Sequence, residues 1–212
     1  AQFESAKVNG RLMAVPFTAI TKEGVPILLV REDWRTKLNL PEPKTMNDLF
    51  KIIEAFTKND PDGNKKDDTI GICIDNALFS SQTSQGLALG YHAYPKKWIK
   101  DASGNLVYGS IQPEMKNVLA KMQEMYKNGL IDKEFGSKDI VKAYETLTSG
   151  KCGVFFGSFP SPLWPLQSLY TNDPTVKWSY YPIPSIDDKP AKTVVELKPN
   201  GYWVVNKNMK NP

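Results

Sequence analysis

Two hydrophobic periods, one of strands and one of helices, alternate along this chain. Arg11 to Thr18 and Pro26 to Val30 have the spacing of strands, and the second is a continuous apolar run suited to a buried position. Glu32 to Leu38 reads as a short helix ended by the Pro41-Glu42-Pro43 break. Thr45 then starts a longer helix with Asp48 three residues on, a near capping box, and Leu49, Ile52, Ile53 and Phe56 form one apolar face. A β-like run over 70–74 follows, then a helix around Thr83 to Leu89. Next comes an irregular stretch around Trp98, with a turn at Ser103-Gly104-Asn105. Ser110 to Asn128 has the clearest helical period. Pro113 lies in its first turn, Met115, Val118, Leu119, Met122 and Tyr126 share a face, and Gly129 suits the position just past its end. A helix over 139–148 ends at Gly150, strand Cys152 to Phe156 follows, and a turn-rich segment over 157–162 leads into a helix through Leu166 and Leu169. Strands near Val176 to Pro182 and Gly201 to Asn206 complete the pattern. Alternation of this kind predicts an α/β layered fold, a sandwich with a mixed central sheet flanked by helices.

Composition narrows the functional classes. The 212 residues suffice for a sizeable core, and 41% hydrophobic with 24% charged residues is ordinary for a globular protein. A formal charge of +4 with dispersed lysines gives little support to nucleic-acid binding. No window approaches the roughly 18 apolar residues of a membrane span. The start Ala1-Gln2-Phe3-Glu4-Ser5 has no basic, apolar leader, and the chain reads as a piece of something larger. Cys73 and Cys152 each sit in an apolar strand-like segment without metal or redox spacing, which predicts buried free thiols.

The stretch Asp60-Pro61-Asp62-Gly63-Asn64-Lys65-Lys66-Asp67-Asp68-Thr69 is the densest in chemistry. Asp60, Asp62, Asn64 and Asp68 fall at positions 1, 3, 5 and 9 of a Ca²⁺-binding loop, and the Lys66 carbonyl would fall at position 7. A hard cation that takes six to eight oxygens could be held by such a set. Two departures from an EF-hand stand out: Lys65 occupies the glycine position 6, and Gly71 stands where the bidentate Glu belongs at position 12. The alternative is an Asx-rich turn that joins a helix to a strand with no metal.

Five segments together resemble the extracellular solute-binding proteins of carbohydrate ABC importers, which have the type 2 periplasmic-binding-protein fold. Val8-Asn9-Gly10-Arg11-Leu12-Met13-Ala14-Val15-Pro16 resembles the family's N-G-K-x-Y-G-I-P strand. Leu28-Leu29-Val30-Arg31-Glu32-Asp33-Trp34 resembles its L-x-Y-R-K-D-W-L segment. Pro43-Lys44-Thr45-Met46-Asn47-Asp48-Leu49 is similar to P-x-T-W-D-E-L, and the Asp60 loop to the D-P-D-G-N-G-K-K-D that follows it. Ser149-Gly150-Lys151-Cys152-Gly153-Val154 resembles the later x-G-K-A-A-M turn and strand. The resemblance implies a receptor of two α/β lobes with a ligand cleft between them and a chain that crosses the hinge more than once. Residues 1–212 would be the second lobe, with hinge strands near 11–16 and 201–206, and the first lobe would lie outside this sequence. It also implies a structural Ca²⁺ in the acidic loop, though Thr69 stands where alginate-oligosaccharide receptors often have Glu. Further implications are an oligosaccharide or other small solute as ligand, ABC permease subunits as partners, a monomeric state, and an extracellular lipoprotein or periplasmic location.

Sugar sites combine aromatic faces, which stack on C–H-rich rings, with polar groups that bond the hydroxyls. In α/β sheets ligands sit outside the carboxyl ends of strands. The candidates are therefore Asp75, Asn76 and Phe79 after strand 70–74, and Ser158, Phe159 and Trp164 after strand 152–156, with ordinary core packing as the alternative for each aromatic. Tyr202 and Trp203 are expected to brace the hinge, and Trp34 and Trp178 to lie in the core. No catalytic constellation emerges: His92 is the lone histidine, no G-x-S-x-G elbow precedes it, and there is neither a Walker A loop nor G-x-G-x-x-G. The pairs Asp67/Asp68 and Asp187/Asp188 read as solvated loop charges. A glycosidase is the chief rival reading, since it too presents aromatics and carboxylates to a sugar. A calcium-stabilised adhesion or scaffolding domain is the third.

Overall fold

The computed structural model describes residues 2–18, 24–79, 82–195 and 199–210. In chain order the first elements are α1 (Gln2–Ser5), β1 (Lys7–Val8), β2 (Arg11–Leu12), β3 (Val15–Thr18), β4 (Ile27–Arg31), α2 (Glu32–Lys37), α3 (Met46–Lys58), β5 (Ile70–Ile72) and α4 (Gln82–Gly90). They are followed by β6 (Trp98–Lys100), β7 (Leu106–Tyr108), α5 (Pro113–Lys127), α6 (Ile140–Thr148), β8 (Cys152–Gly157), α7 (Gln167–Asn172), β9 (Trp178–Tyr181) and β10 (Pro199–Trp203). These elements fall into two compact units, residues 26–193 and the joined ends 1–25 with 194–212.

The larger unit is built on a four-stranded sheet of order β5-β8-β4-β9. β5 runs parallel to β8, while β8 with β4 and β4 with β9 are antiparallel. The sheet is therefore mixed, as the alternating pattern predicts. Register assigns the faces: Leu28 lies opposite Phe156 and Val30 opposite Val154, and all four join one core cluster with α3, α4 and α5. Leu29 lies opposite Phe155, and both join Tyr144 and Leu147 of α6 and Leu169 of α7 in a second cluster. Helices thus cover both faces, giving three layers. Trp34 and Trp178 are buried, one in each cluster.

Local chemistry explains the best-defined helices. Thr45 Oγ1 accepts from the Asp48 backbone N–H, and the Asp48 carboxylate accepts from the Thr45 N–H, which completes the capping box. α3 then buries Met46, Leu49, Ile52, Ile53 and Phe56, each contributing about 1.5–3 kcal/mol by burial. Both cysteines are free and buried; burial pushes the Cys152 thiol up to about 12 and holds that of Cys73 well above its ordinary value.

In the smaller unit β1 and β2 pair around Asn9 and Gly10, both left-handed, the signature of a tight hairpin turn. β3 pairs antiparallel with β10, with Trp203 opposite Val15 and Tyr202 opposite Pro16. Of the segments 11–16 and 201–206, Val15 and Pro16 are thereby brought beside Trp203 and Tyr202, whereas Arg11 and Leu12 pair with β1 and the strand expected over 201–206 ends at Trp203. The Tyr202 hydroxyl donates to Ser5 Oγ at 2.9 Å, and Trp203 meets Phe17 edge-on. The strand expected over 11–18 is interrupted at Met13-Ala14, where the Met13 N–H turns to bond the Ala6 carbonyl. Among the described residues no helix is long and apolar enough to cross a membrane.

Candidate functional site

Two places in the larger unit gather the residues singled out by sequence. The first is the loop between α3 and β5. Asp60, Gly63 and Lys65 all adopt left-handed backbone, and Lys65 does so at the position where an EF-hand keeps glycine, so the expected departure is one of residue type, not of chain path. Asp60 turns its carboxylate back onto the loop, accepting from the N–H groups of Gly63 and Lys65 at 3.0 Å each. The Asn64 amide nitrogen donates to Asp62 at 2.8 Å and to Asp68 at 3.1 Å, and its oxygen accepts from the Lys66 N–H. The Lys151 ammonium enters from the start of β8, 2.8 Å from Asp68 and 3.1 Å from Asp62. Its hydrogen bond to Asp68 is the main reason that carboxyl titrates below its ordinary value. Sequence spacing cannot find Lys151, which lies 89 positions from Asp62.

The donor chemistry suits a hard cation: three carboxylates, an amide oxygen and a backbone carbonyl on one turn. Asp62, Asn64 and Asp68 converge, and a positive charge already stands between the two carboxylates. Asp60 faces the loop backbone, and among the described residues no three acidic, His or Cys side chains converge as a metal site. To become a ligand Asn64 would have to turn its amide over. Gly71 has a packing reason to replace the position-12 Glu. A Cβ built there would lie 2.1 Å from the Ile53 carbonyl oxygen, so no side chain fits between β5 and α3.

The second place is one end of the sheet. Because β5 and β8 are parallel neighbours, the segments that follow them leave on the same side. Asp75 is fully buried and accepts from Thr83 Oγ1 at 3.1 Å, and Phe79 is 8% exposed and packs in the core. Asn76 is exposed, with its N–H held by the Lys138 carbonyl at 2.8 Å. After β8, Ser158 is buried and its N–H donates to Ser161 Oγ at 2.9 Å, closing a turn that lifts the next residue outward. Phe159 is 75% exposed, Leu163 74% and Trp164 61%, an exposed apolar ridge. Trp164 is braced edge-on by Tyr144 at 5.0 Å and borders a shallow cavity of about 390 Å³. Leu163, missed by a reading that sought aromatics, belongs to this ridge.

His92, the lone histidine, contacts Asp187 at 2.8 Å and Ser185 at 3.2 Å. Both partners meet the same ring nitrogen, Nε2, so this is no relay in which an acid orients the ring while a serine uses its far side. Its visible work is structural, tying the turn after α4 to the segment after β9. The bond from His92 holds the exposed Asp187 carboxyl down at about 2.

No known family profile matches the sequence. Curated relatives do. The polygalacturonan/rhamnogalacturonan-binding protein YtcQ of Bacillus subtilis is 30% identical over 157 residues, 73% of this chain and 30% of YtcQ. Lipoprotein LipO of the same organism is 30% identical over 129 residues, 60% of this chain and 25% of LipO. The fructooligosaccharide ABC transporter substrate-binding protein FusA of Streptococcus pneumoniae is 30% identical over 139 residues, 60% of this chain and 24% of FusA. The chain is homologous to solute-binding proteins of carbohydrate ABC transporters. Solved structures carry the same fold. The alginate-binding protein AlgQ2 without calcium ion superposes with a TM-score of 0.68 at 20% identity, over 96% of this chain and 42% of that one. A FusA EF-hand mutant in complex with fructo-nystose superposes with a TM-score of 0.64 at 20% identity, over 84% of this chain and 36% of that one. The chain spans about a third or less of the length of these curated relatives. The names of YtcQ and FusA describe binding proteins, and one FusA structure is described as an EF-hand mutant.

Proposed function

We propose that this chain is one lobe of a non-enzymatic receptor for an ABC import system, and that the intact receptor captures an oligosaccharide between two lobes and hands it to a permease. The observation that carries the reading is the pairing of β5 with β8. It sends both candidate loops to one end of the sheet, where Phe159 and Trp164 stand exposed on a turn fixed by Ser158 and Ser161. Homology to sugar-importer binding proteins supports the same reading. Phe159 and Trp164 would stack on sugar rings, Asn76 would offer a polar group, and the buried Ser158, Asp75 and Phe79 would shape the site from beneath.

Residues 1–212 would form the second lobe, with hinge strands near 11–16 and 201–206, a reading supported by the pairing of Val15 with Trp203 and Pro16 with Tyr202. Ligand that binds the closed receptor better than the open one shifts the population toward closure. The full-length receptor would be an extracellular monomer, lipid-anchored or periplasmic. Ca²⁺ would be held by Asp60, Asp62, Asn64, the Lys66 carbonyl and Asp68, and it would supply structural cross-linking of the turn between α3 and β5.

A thermal-shift screen of the full-length receptor against an oligosaccharide panel, with product analysis of each sugar, tests this. A cognate sugar should raise the melting temperature and be recovered intact, and Phe159→Ala or Trp164→Ala should each weaken binding about tenfold, the lower range for one lost stacking contact. Turnover of the sugar would instead favour a glycosidase. No response to any saccharide, with retention on a protein partner, would favour an adhesion domain.

A further inference from the structure

The acidic loop holds a cation that belongs to the protein. Lys151 is not free to wander. Its carbonyl accepts from the Ile70 N–H at 2.8 Å, and the next residue, Cys152, is in parallel register with Ile70, so its backbone is fixed beside the loop's exit. From there the ammonium reaches Asp62 and Asp68 together, at 3.1 and 2.8 Å. Asn64 is oriented to match, with its amide nitrogen toward the same two carboxylates and its oxygen turned away toward the Lys66 N–H. That is the arrangement of a loop satisfied by donors, not one awaiting an ion. A second lysine closes the turn from the other side, as Lys37 Nζ donates to the Pro61 carbonyl at 2.8 Å.

We propose that Lys151 is a tethered cation that closes the acidic loop without metal and competes with Ca²⁺ for Asp62 and Asp68. The proposal rests on the calcium reading above and deepens it. Metal entry would require the ammonium to leave both carboxylates and Asn64 to turn its amide. A unit positive charge a few ångströms from a divalent ion at a solvated site weakens binding roughly tenfold. The consequence is a loop that keeps its shape at low Ca²⁺ and binds the ion more weakly than its carboxylate count suggests.

The test compares the wild-type chain with Lys151→Gln and Lys151→Arg by calorimetric titration with CaCl₂ and by melting curves in excess chelator and in excess Ca²⁺. Lys151→Gln should bind Ca²⁺ about tenfold more tightly. It should also melt lower than wild type in chelator and recover in Ca²⁺ by mass action. Lys151→Arg, which keeps the charge, should behave as wild type. Equal Ca²⁺ affinity in wild type and Lys151→Gln overturns the competition while leaving the calcium site standing. Absence of Ca²⁺ binding in both, with unchanged melting, overturns the calcium reading and the competition with it. Weaker binding by Lys151→Gln would make Lys151 a support for the ion and also overturn the proposal.

Discussion

At the scale of single residues, close packing and backbone conformation explain the loop's departures from its motif. Lys65 accepts a left-handed conformation that glycine adopts at less cost, because Asp60 accepts its N–H and fixes the turn. Gly71 is a strict requirement of a different kind. Its Cα faces the backbone of α3, and a methyl group there would collide with the Ile53 carbonyl at 2.1 Å. Gly71→Ala should therefore destabilise the chain by about 1–3 kcal/mol, the usual cost of overpacking, read from the midpoint of urea unfolding. An unchanged midpoint would mean that β5 and α3 pack less tightly than described. The oxygen-bearing side chains of the loop, Asp60, Asp62, Asn64 and Asp68, stand out in the sequence by their spacing. Lys151 does not, because only the parallel pairing of β5 with β8 brings it to the loop.

At the scale of elements, legibility tracked the strength of the local signal. α3 and α5 announced themselves through a cap, a proline in the first turn and an apolar period, and both formed near the expected bounds, though α5 buries Met125 with Met115, Val118 and Met122 and leaves the expected face members Leu119 and Tyr126 exposed. The segment expected as one helix over 110–128 divides into a 3-10 turn at Gly109–Ile111 and the helix from Pro113. Gly109 sits so close to the Tyr94 carbonyl that a Cβ would lie 2.1 Å from it, a tertiary contact with no local trace. The β6–β7 hairpin was missed although its turn was found. Its strands have three residues each, with Trp98 and Leu106 turned outward, so they lack the inward apolar alternation that marks a strand. The capping box gives a direct check. Thr45→Ala should cost about 1 kcal/mol by leaving the Asp48 N–H without its acceptor. Amide exchange of the first turn of α3 should quicken in step, and a change confined to other helices would contradict the assignment.

At the scale of the molecule, alternation of strands and helices foretold the layers, but not the order of the sheet. Strand order β5-β8-β4-β9 depends on which apolar faces meet, and each strand's run of apolar residues is compatible with several neighbours. That order is what gives the proposed site its place, since β5 and β8 must be parallel neighbours for their following loops to share one end. A single lobe can cover only one side of a bound sugar, whereas a closed pocket buries about 70–90% of a small ligand's surface. Hydrogen bonds left facing solvent contribute roughly 0.5–1.5 kcal/mol each, so losing several contacts removes orders of magnitude of affinity, at about 1.4 kcal/mol per tenfold. The most direct measurement is calorimetry with one oligosaccharide on the 212-residue chain and on the full-length receptor. Capture between two lobes predicts that the chain alone binds at least about a hundredfold more weakly, or not detectably. Equal, tight binding by both would place the whole site within these residues and contradict the two-lobed mechanism.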